Sequence, residues 1–273
     1  MSRLSFSNFD EEIKRILEYP RKVSERVIQE NREDIITSLR YYNAFDDWGH
    51  ILTFLSQATD KRGLRTWEVF LEADVNMEVA LIQSIHGMYK SSLMSLRSCF
   101  ETAFLAVFYS YPEKDKEYDD FWDGKIDTPS FKEVRHFLFT KKEFQEFDRS
   151  YNLHEEIKDE YRTLSSYIHS RGYEHFESHF RTPREKRTEI FGDYLGFDPD
   201  FMKELSIHLS RILEITSVVF ALRFHAISWY LKRPELIKGH LANIIITIPK
   251  EKVEQLLDYY GVDPSSFWEK LHP

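Results

Sequence analysis

The amino-acid sequence predicts an all-α protein: an antiparallel helical bundle with extra helices at its N- and C-terminal ends. Three observations carry this reading. Glycine and proline number 9 each among 273 residues, roughly half the share of an average protein, whereas β folds use both freely in turns. Apolar residues recur at helical spacing through long stretches of the chain. Aromatic residues are abundant, with 22 Phe, 15 Tyr and 5 Trp, which supplies a core and sets the chain apart from disordered sequences.

Taken in order, residues 11–17 and 23–42 show helical periodicity with charged outer faces, and Pro20 between them stands where a helix can begin. Asp46 or Asp47 is placed to cap a next helix running to about residue 59. Asp60-Lys61-Arg62-Gly63 reads as a turn, and a long helix over 67–86 stops at Gly87. The most apolar helix to this point, 89–111, ends at Pro112; from Ser91 onward its only charges are Arg97 and Glu101. Residues 113–129 are acidic and turn-rich. Short helices are expected over 131–139 and 142–151, then a clear helix over 153–170 closed by Gly172.

Residues 172–197 read as irregular and charge-rich. Asp198 or Asp200 opens another long helix reaching about Leu231, with Pro234 beyond it. Ala242-Asn243-Ile244-Ile245-Ile246-Thr247-Ile248 is β-branched and reads as a lone short strand or an extended segment. Two short helices, 250–260 and 264–271, close the chain. No internal repeat or low-complexity tract is visible. The domain reading is a helical N-terminal extension over 1–45, the bundle over 46–235, and a C-terminal tail with short helices over 236–273.

The formal net charge of −9 opposes a protein that coats nucleic acid by bulk attraction, because phosphate binding needs a positive face. A small basic site remains compatible with it. Cys99, the single cysteine, rules out an internal disulfide and a cysteine-based zinc site, and reads as a buried, inert thiol. The N-terminus lacks the continuous apolar stretch of a signal peptide. The most apolar later stretch, 212–231, is interrupted by Glu214, Arg223 and His225, while a membrane span needs about 20 nearly uncharged residues. The expected location is the cytoplasm, with no membrane partner.

One segment concentrates candidate chemistry: Arg162-Thr163-Leu164-Ser165-Ser166-Tyr167-Ile168-His169. On a helix, Arg162 and His169 are seven residues apart and point the same way, roughly 10 Å apart along the axis. Ser165 and Ser166 lie on the same stripe, while Tyr161, Leu164 and Ile168 form an adjacent stripe expected to face the core. A guanidinium binds phosphate oxygens through a fork of donors and keeps its charge. An imidazole accepts or donates a proton near neutral pH. RNA supplies its own nucleophile, the 2′-OH, so these two groups suit metal-free phosphodiester cleavage.

Arg162-x6-His169 near the end of a late helix resembles the R-x(4–6)-H motif of the HEPN superfamily of helical domains. Gly87-Met88-Tyr89-Lys90-Ser91-Ser92-Leu93-Met94-Ser95-Leu96-Arg97-Ser98-Cys99-Phe100-Glu101 is similar to the G-x-Y-x-x-A-x-x-x-L-R-x-x-x-E helix of a prokaryotic HEPN-like branch. Tyr161-x-x-Leu164-Ser165-x-Tyr167-Ile168-His169 resembles that branch's Y-x-x-L-S-x-x-V-H helix. The two motifs occur in the family's order, and the resemblance covers roughly residues 48–231. Thr163 stands where the family often has Asn, Asp or His. The resemblance implies a HEPN-like bundle and, with Arg162 and His169 as the catalytic pair, a homodimeric, metal-independent endoribonuclease of toxin–antitoxin or antiviral-defence type. It implies RNA as substrate and an antitoxin or defence-system protein as partner. Other HEPN proteins are non-catalytic modules, so the alternative is an interaction module binding a partner protein or nucleotide through the same groove.

Arg97, Glu101, Ser165, Ser166 and Thr163 are the expected supporting residues. Arg97 and Glu101, at i and i+4 on a very apolar helix, read either as a structural ion pair or as a border of the Arg162/His169 cavity. Arg181, Arg184, Lys186 and Arg187 form a compact basic stretch that reads as a solvated loop, or as a hold on the backbone of an RNA strand. His175 and His179 have helical metal-pair spacing but lack the Glu that directly follows the first His in zinc peptidases. No cofactor or metal is expected.

Overall fold

A computed structural model describes residues 18, 20–58, 61–169, 198 and 200–271, with side chains described throughout these except at 56–58, 61–63, 168 and 169. Every regular element among the described residues is helical, as composition and periodicity predict. Residues 18 and 20–30 belong to helix α1. Then follow α2 (Arg32–Ala58), α3 (Lys61–Ile85), α4 (Tyr89–Tyr109), a 3-10 turn (Pro112–Lys114), α5 (Asp115–Trp122), α6 (Phe131–Leu138), α7 (Lys142–Tyr151) and α8 (Leu153–His169). The chain continues with α9 (Phe201–Arg223), α10 (Ala226–Leu231), a second 3-10 turn (Pro234–Leu236), α11 (His240–Thr247), α12 (Lys250–Tyr259) and α13 (Pro264–Leu271).

The bundle is built around α9, which buries 17 of its 23 residues and packs against α2, α4 and α8. By length and mean hydropathy, 1.5, α9 would pass for a membrane span, but 83 % of that window is buried inside the bundle. Its apolarity is that of a central core helix. At the junction with α2 and α3, the Trp48 indole donates to Ser217 Oγ at 2.9 Å, and Phe220 meets Trp48 and Phe70 edge-on. Phe45 stacks on Phe70 and Gly49 faces the same ring, while Tyr42, earlier on α2, is near Asp74 and Glu78, later on α3, so α2 and α3 run antiparallel. Gly87, at φ 73°, ends α3 in a Schellman closure: its N–H donates to Ser84 O and that of Met88 to Gln83 O. The chain thus reverses into α4, which buries 13 of 21 residues. At the far end of α4, Arg223 from α9 donates to Ser110 Oγ and Ser110 O, both at 2.6 Å, and lies over the Tyr111 ring.

Four local expectations are corrected. Asp46 and Asp47 do not cap a helix; α2 runs unbroken from Arg32 to Ala58, and the interruption falls at Asn31. Ala44, Phe45, Trp48 and Leu52, all buried, form one continuous core stripe across the expected break, and no Pro interrupts it. Asp47 instead accepts hydrogen bonds from His240 and Asn243, each at 2.5 Å, which ties α11 to α2. Lys61, Arg62 and Gly63, read as part of a turn, belong to the first turn of α3.

The β-branched run at 242–248 is neither strand nor extended; residues 240–247 form α11. Leu241, Ile244 and Ile245 are buried while Ile246 is 60 % exposed, a helical pattern rather than an alternating one. Packing against α2 overrides a weak local preference that amounts to a few tenths of a kcal/mol per residue. The long helix expected to reach Leu231 breaks at Phe224, and α10 carries the remainder. α6 starts with a capping box between Ser130 and Glu133.

Candidate functional site

The helix α8 is amphipathic. Of the stripe expected to face the core, Leu164 is buried and Tyr161 packs against the core, while the Ile168 side chain lies outside the described residues; Leu153 and Ile157, buried, and Tyr167, packed on the core, join that face. Arg162 faces outward with 73 % of its side chain exposed, and its Nη2 contacts Asp159 Oδ1 at 2.9 Å. Exposed pairs of this kind are worth at most about 1 kcal/mol, so the guanidinium is free to exchange Asp159 for another anion.

The hydroxyls beside it do not form an open polar stripe. Thr163 Oγ1 donates to Asp159 O at 2.9 Å and Ser166 Oγ to Thr163 O at 2.6 Å, so both hydrogens are used within the helix. Ser165 Oγ is buried with no hydrogen-bond partner among the described residues. The helix is also acidic on its first half, where Glu155, Glu156, Asp159 and Glu160 outnumber Lys158.

Arg97 and Glu101 on α4 form an ion pair at 2.9 Å, with side chains 21 % and 34 % exposed. The pair reaches α8 through Tyr161, one residue before Arg162: Arg97 Nη2 donates to Tyr161 OH at 2.8 Å, and the guanidinium lies 5.0 Å from the centre of that ring. Phe131 of α6 stacks on the same ring. Burial, with the neighbouring Glu101 carboxylate, pushes the Tyr161 hydroxyl above its ordinary pKa against the pull of Arg97. The two motif helices are therefore in contact, joined by an Arg–Tyr–Phe stack. The backbone of His169 ends α8, two turns beyond Arg162. Its side chain lies outside the described residues, as do His175, His179, Arg181, Arg184, Lys186 and Arg187.

No protein-family model, curated protein or solved structure matches the chain.

A polar network that sequence reasoning missed lies on the inner side of α8. His208 Nδ1 of α9 is 2.7 Å from Glu160 Oε1, and both side chains are only 8 % exposed. Tyr167 covers His208 edge-on and bonds Glu204. One turn earlier, Lys252 of α12, 8 % exposed, holds both oxygens of Glu156 at 2.6 and 2.7 Å. Arg211 pairs with Glu214 at 2.9 Å. The only sequence signal was a histidine amid the apolar residues of α9; its partner is 48 positions away. Two grooves flank α2 at Tyr41. One, about 430 Å³, is bordered by Arg40, Asn43, Asn243 and Thr247; the other, about 240 Å³, by Asp34, Lys203, Arg211 and Glu214. Arg162 borders neither.

Proposed function

We propose that the chain is a HEPN-like, metal-independent endoribonuclease of a bacterial defence or toxin system, acting in the cytoplasm as a homodimer. The observation that carries this reading is the placement of Arg162. It projects from the outward face of the helix that ends at His169, its ion pair among the described residues is a weak one with Asp159, and its helix is braced through Tyr161 by the Arg97–Glu101 motif of α4. In this reading His169 takes the proton of the 2′-OH as that oxygen attacks the adjacent phosphorus. The bond to the 5′-oxygen breaks, the leaving oxygen gains a proton, and Arg162 stabilises the charge on the phosphate oxygens. The products are a 2′,3′-cyclic phosphate and a 5′-hydroxyl. The basic stretch from Arg181 to Arg187 would hold the strand, and an antitoxin or other defence protein would restrain the activity.

A second reading, a non-catalytic interaction module, is favoured by the closed hydroxyls of Thr163 and Ser166 and by the acidic first half of α8. Incubating the purified chain with total RNA in EDTA separates the two. The nuclease reading expects cleavage that falls by about 10²–10⁴-fold in His169→Ala and about 10²–10³-fold in Arg162→Ala, at unchanged melting temperature. Equal cleavage by wild type and His169→Ala, or none by the wild type, overturns it.

A further inference from the structure

The most exposed line of α3 carries an apolar pattern where a surface helix ordinarily carries charge. Leu64, Leu71, Val75 and Ile82 are 45, 40, 50 and 49 % exposed. Residues 64, 68, 71, 75, 78 and 82 are spaced 4, 3, 4, 3 and 4, the repeat of a helix-pairing seam. The core stripe of the same helix, Val69, Phe70, Ala73, Met77 and Ala80, is buried on the opposite side, so the outer seam is not needed for the bundle.

The two remaining seam positions are Glu68 and Glu78. Glu68 accepts the Tyr118 hydroxyl at 2.6 Å. Neighbouring α2 also exposes apolar side chains, with Ile36, Leu39 and Phe54 at 42, 43 and 62 % exposed. Because α2 and α3 are antiparallel, Phe54 lies at the end of Leu64, and Ile36 and Leu39 at the end of Ile82. Between the helices Asp46, Asp74 and Glu78 lie close together, and their mutual repulsion adds to burial in raising the Asp74 carboxyl to about 6. Asp74 Oδ1 is buried without a hydrogen-bond partner among the described residues. Among the described residues, the ion-pair partner of Asp46 is His50, at 3.7 Å.

We propose that the outer face of the α2–α3 hairpin docks a basic amphipathic helix of another protein. The apolar seam takes the partner's apolar stripe, and Lys or Arg side chains of the partner meet Glu68 and Glu78, as in other helix-on-helix recognition. A second copy of this chain is the poorer occupant. Pairing α3 with its own copy places Glu68 against Glu78 when antiparallel, and Glu68 against Glu68 and Glu78 against Glu78 when parallel. Like charges so placed select against the pairing. This surface is independent of whether α8 cleaves RNA.

The test is fluorescence anisotropy of the full chain with a labelled amphipathic peptide of about 18 residues, five turns of helix. Its leucines follow the seam spacing, and lysines stand opposite the two glutamates; a twin peptide carries glutamate there. The proposal expects the lysine peptide to bind at least about tenfold more tightly than its twin. Val75→Asp and Leu71→Asp should each weaken it about tenfold or more at unchanged melting temperature, since both positions are exposed. Glu78→Lys should shift preference toward the glutamate twin. Equal binding of both peptides, binding of neither, or indifference to Val75→Asp overturns the proposal. So does light scattering that shows a dimer made monomeric by Val75→Asp, because then a second copy covers this face.

Discussion

Replacing Glu160 with Leu should be among the most damaging single substitutions on α8, although it adds apolar surface. The carboxylate is 2.7 Å from His208 Nδ1, and each side chain keeps only 8 % of its surface in water, so solvent cannot replace the lost partner. Stranding a neutral buried donor costs about 1–3 kcal/mol, and stranding a charged one about 3–5 kcal/mol. A loss near 3 kcal/mol follows, or roughly 6–12 °C in melting temperature for a chain of this size. Urea unfolding of Glu160→Leu, His208→Leu and the double variant measures it. The double variant should recover most of the loss, because two apolar residues of similar bulk leave nothing unpaired. A single-variant loss below about 1 kcal/mol, or a double variant as unstable as the sum of the singles, would show that the pair is not a coupled buried contact.

Two further outcomes follow from corrected or unusual features. Ile244→Ala should cost about 2–4 kcal/mol while Ile246→Ala stays within about 0.5 kcal/mol, because Ile244 is 1 % and Ile246 60 % exposed; equal losses in urea unfolding would restore the alternating strand. The Asp74 carboxyl, raised from 3.8 to about 6 first by burial and then by Asp46 and Glu78, binds its proton more tightly in the folded chain than in the unfolded one. Its ionisation therefore destabilises the fold above pH 6, and that penalty fades as pH falls through 6 toward 4. Asp74→Asn should gain up to about 3 kcal/mol over wild type at pH 7.5, with the gap closing by pH 4; a gap independent of pH would refute the cause.

What was legible in the sequence was whatever one helix decides alone. The periodicity of α8 placed Leu164 inward and Arg162 outward, Gly87 marked the reversal into α4, and the short helices at 131–138, 142–151, 250–259 and 264–271 announced themselves by spacing. What was not legible depended on neighbours. The run at 242–248 is helical because α2 offers it an apolar groove and an Asp47 anchor. Asp46 and Asp47 look like caps in one dimension, while in three they face a seam and a second helix. The Glu160–His208 pair and the Lys252–Glu156 pair span 48 and 96 positions, distances over which single-sequence spacing carries no information. The hydroxyls of the candidate site illustrate a subtler limit: their stripe was readable, but whether each bonds its own helix is a rotamer choice.

The Arg223 clamp on Ser110 bears on how the chain is made. The last turn of α4 has its carbonyl and hydroxyl satisfied by a residue 113 positions downstream. The 13 buried residues of α4 are likewise covered in part by α8 and α9, so a nascent chain holding only residues 1–111 shows water a wide apolar surface with a loose helix end. At about 5–20 residues per second of synthesis, this exposure lasts some 5–20 s on every ribosome. Through that interval the apolar face of α4 stays open to a chaperone or to an unwanted neighbour.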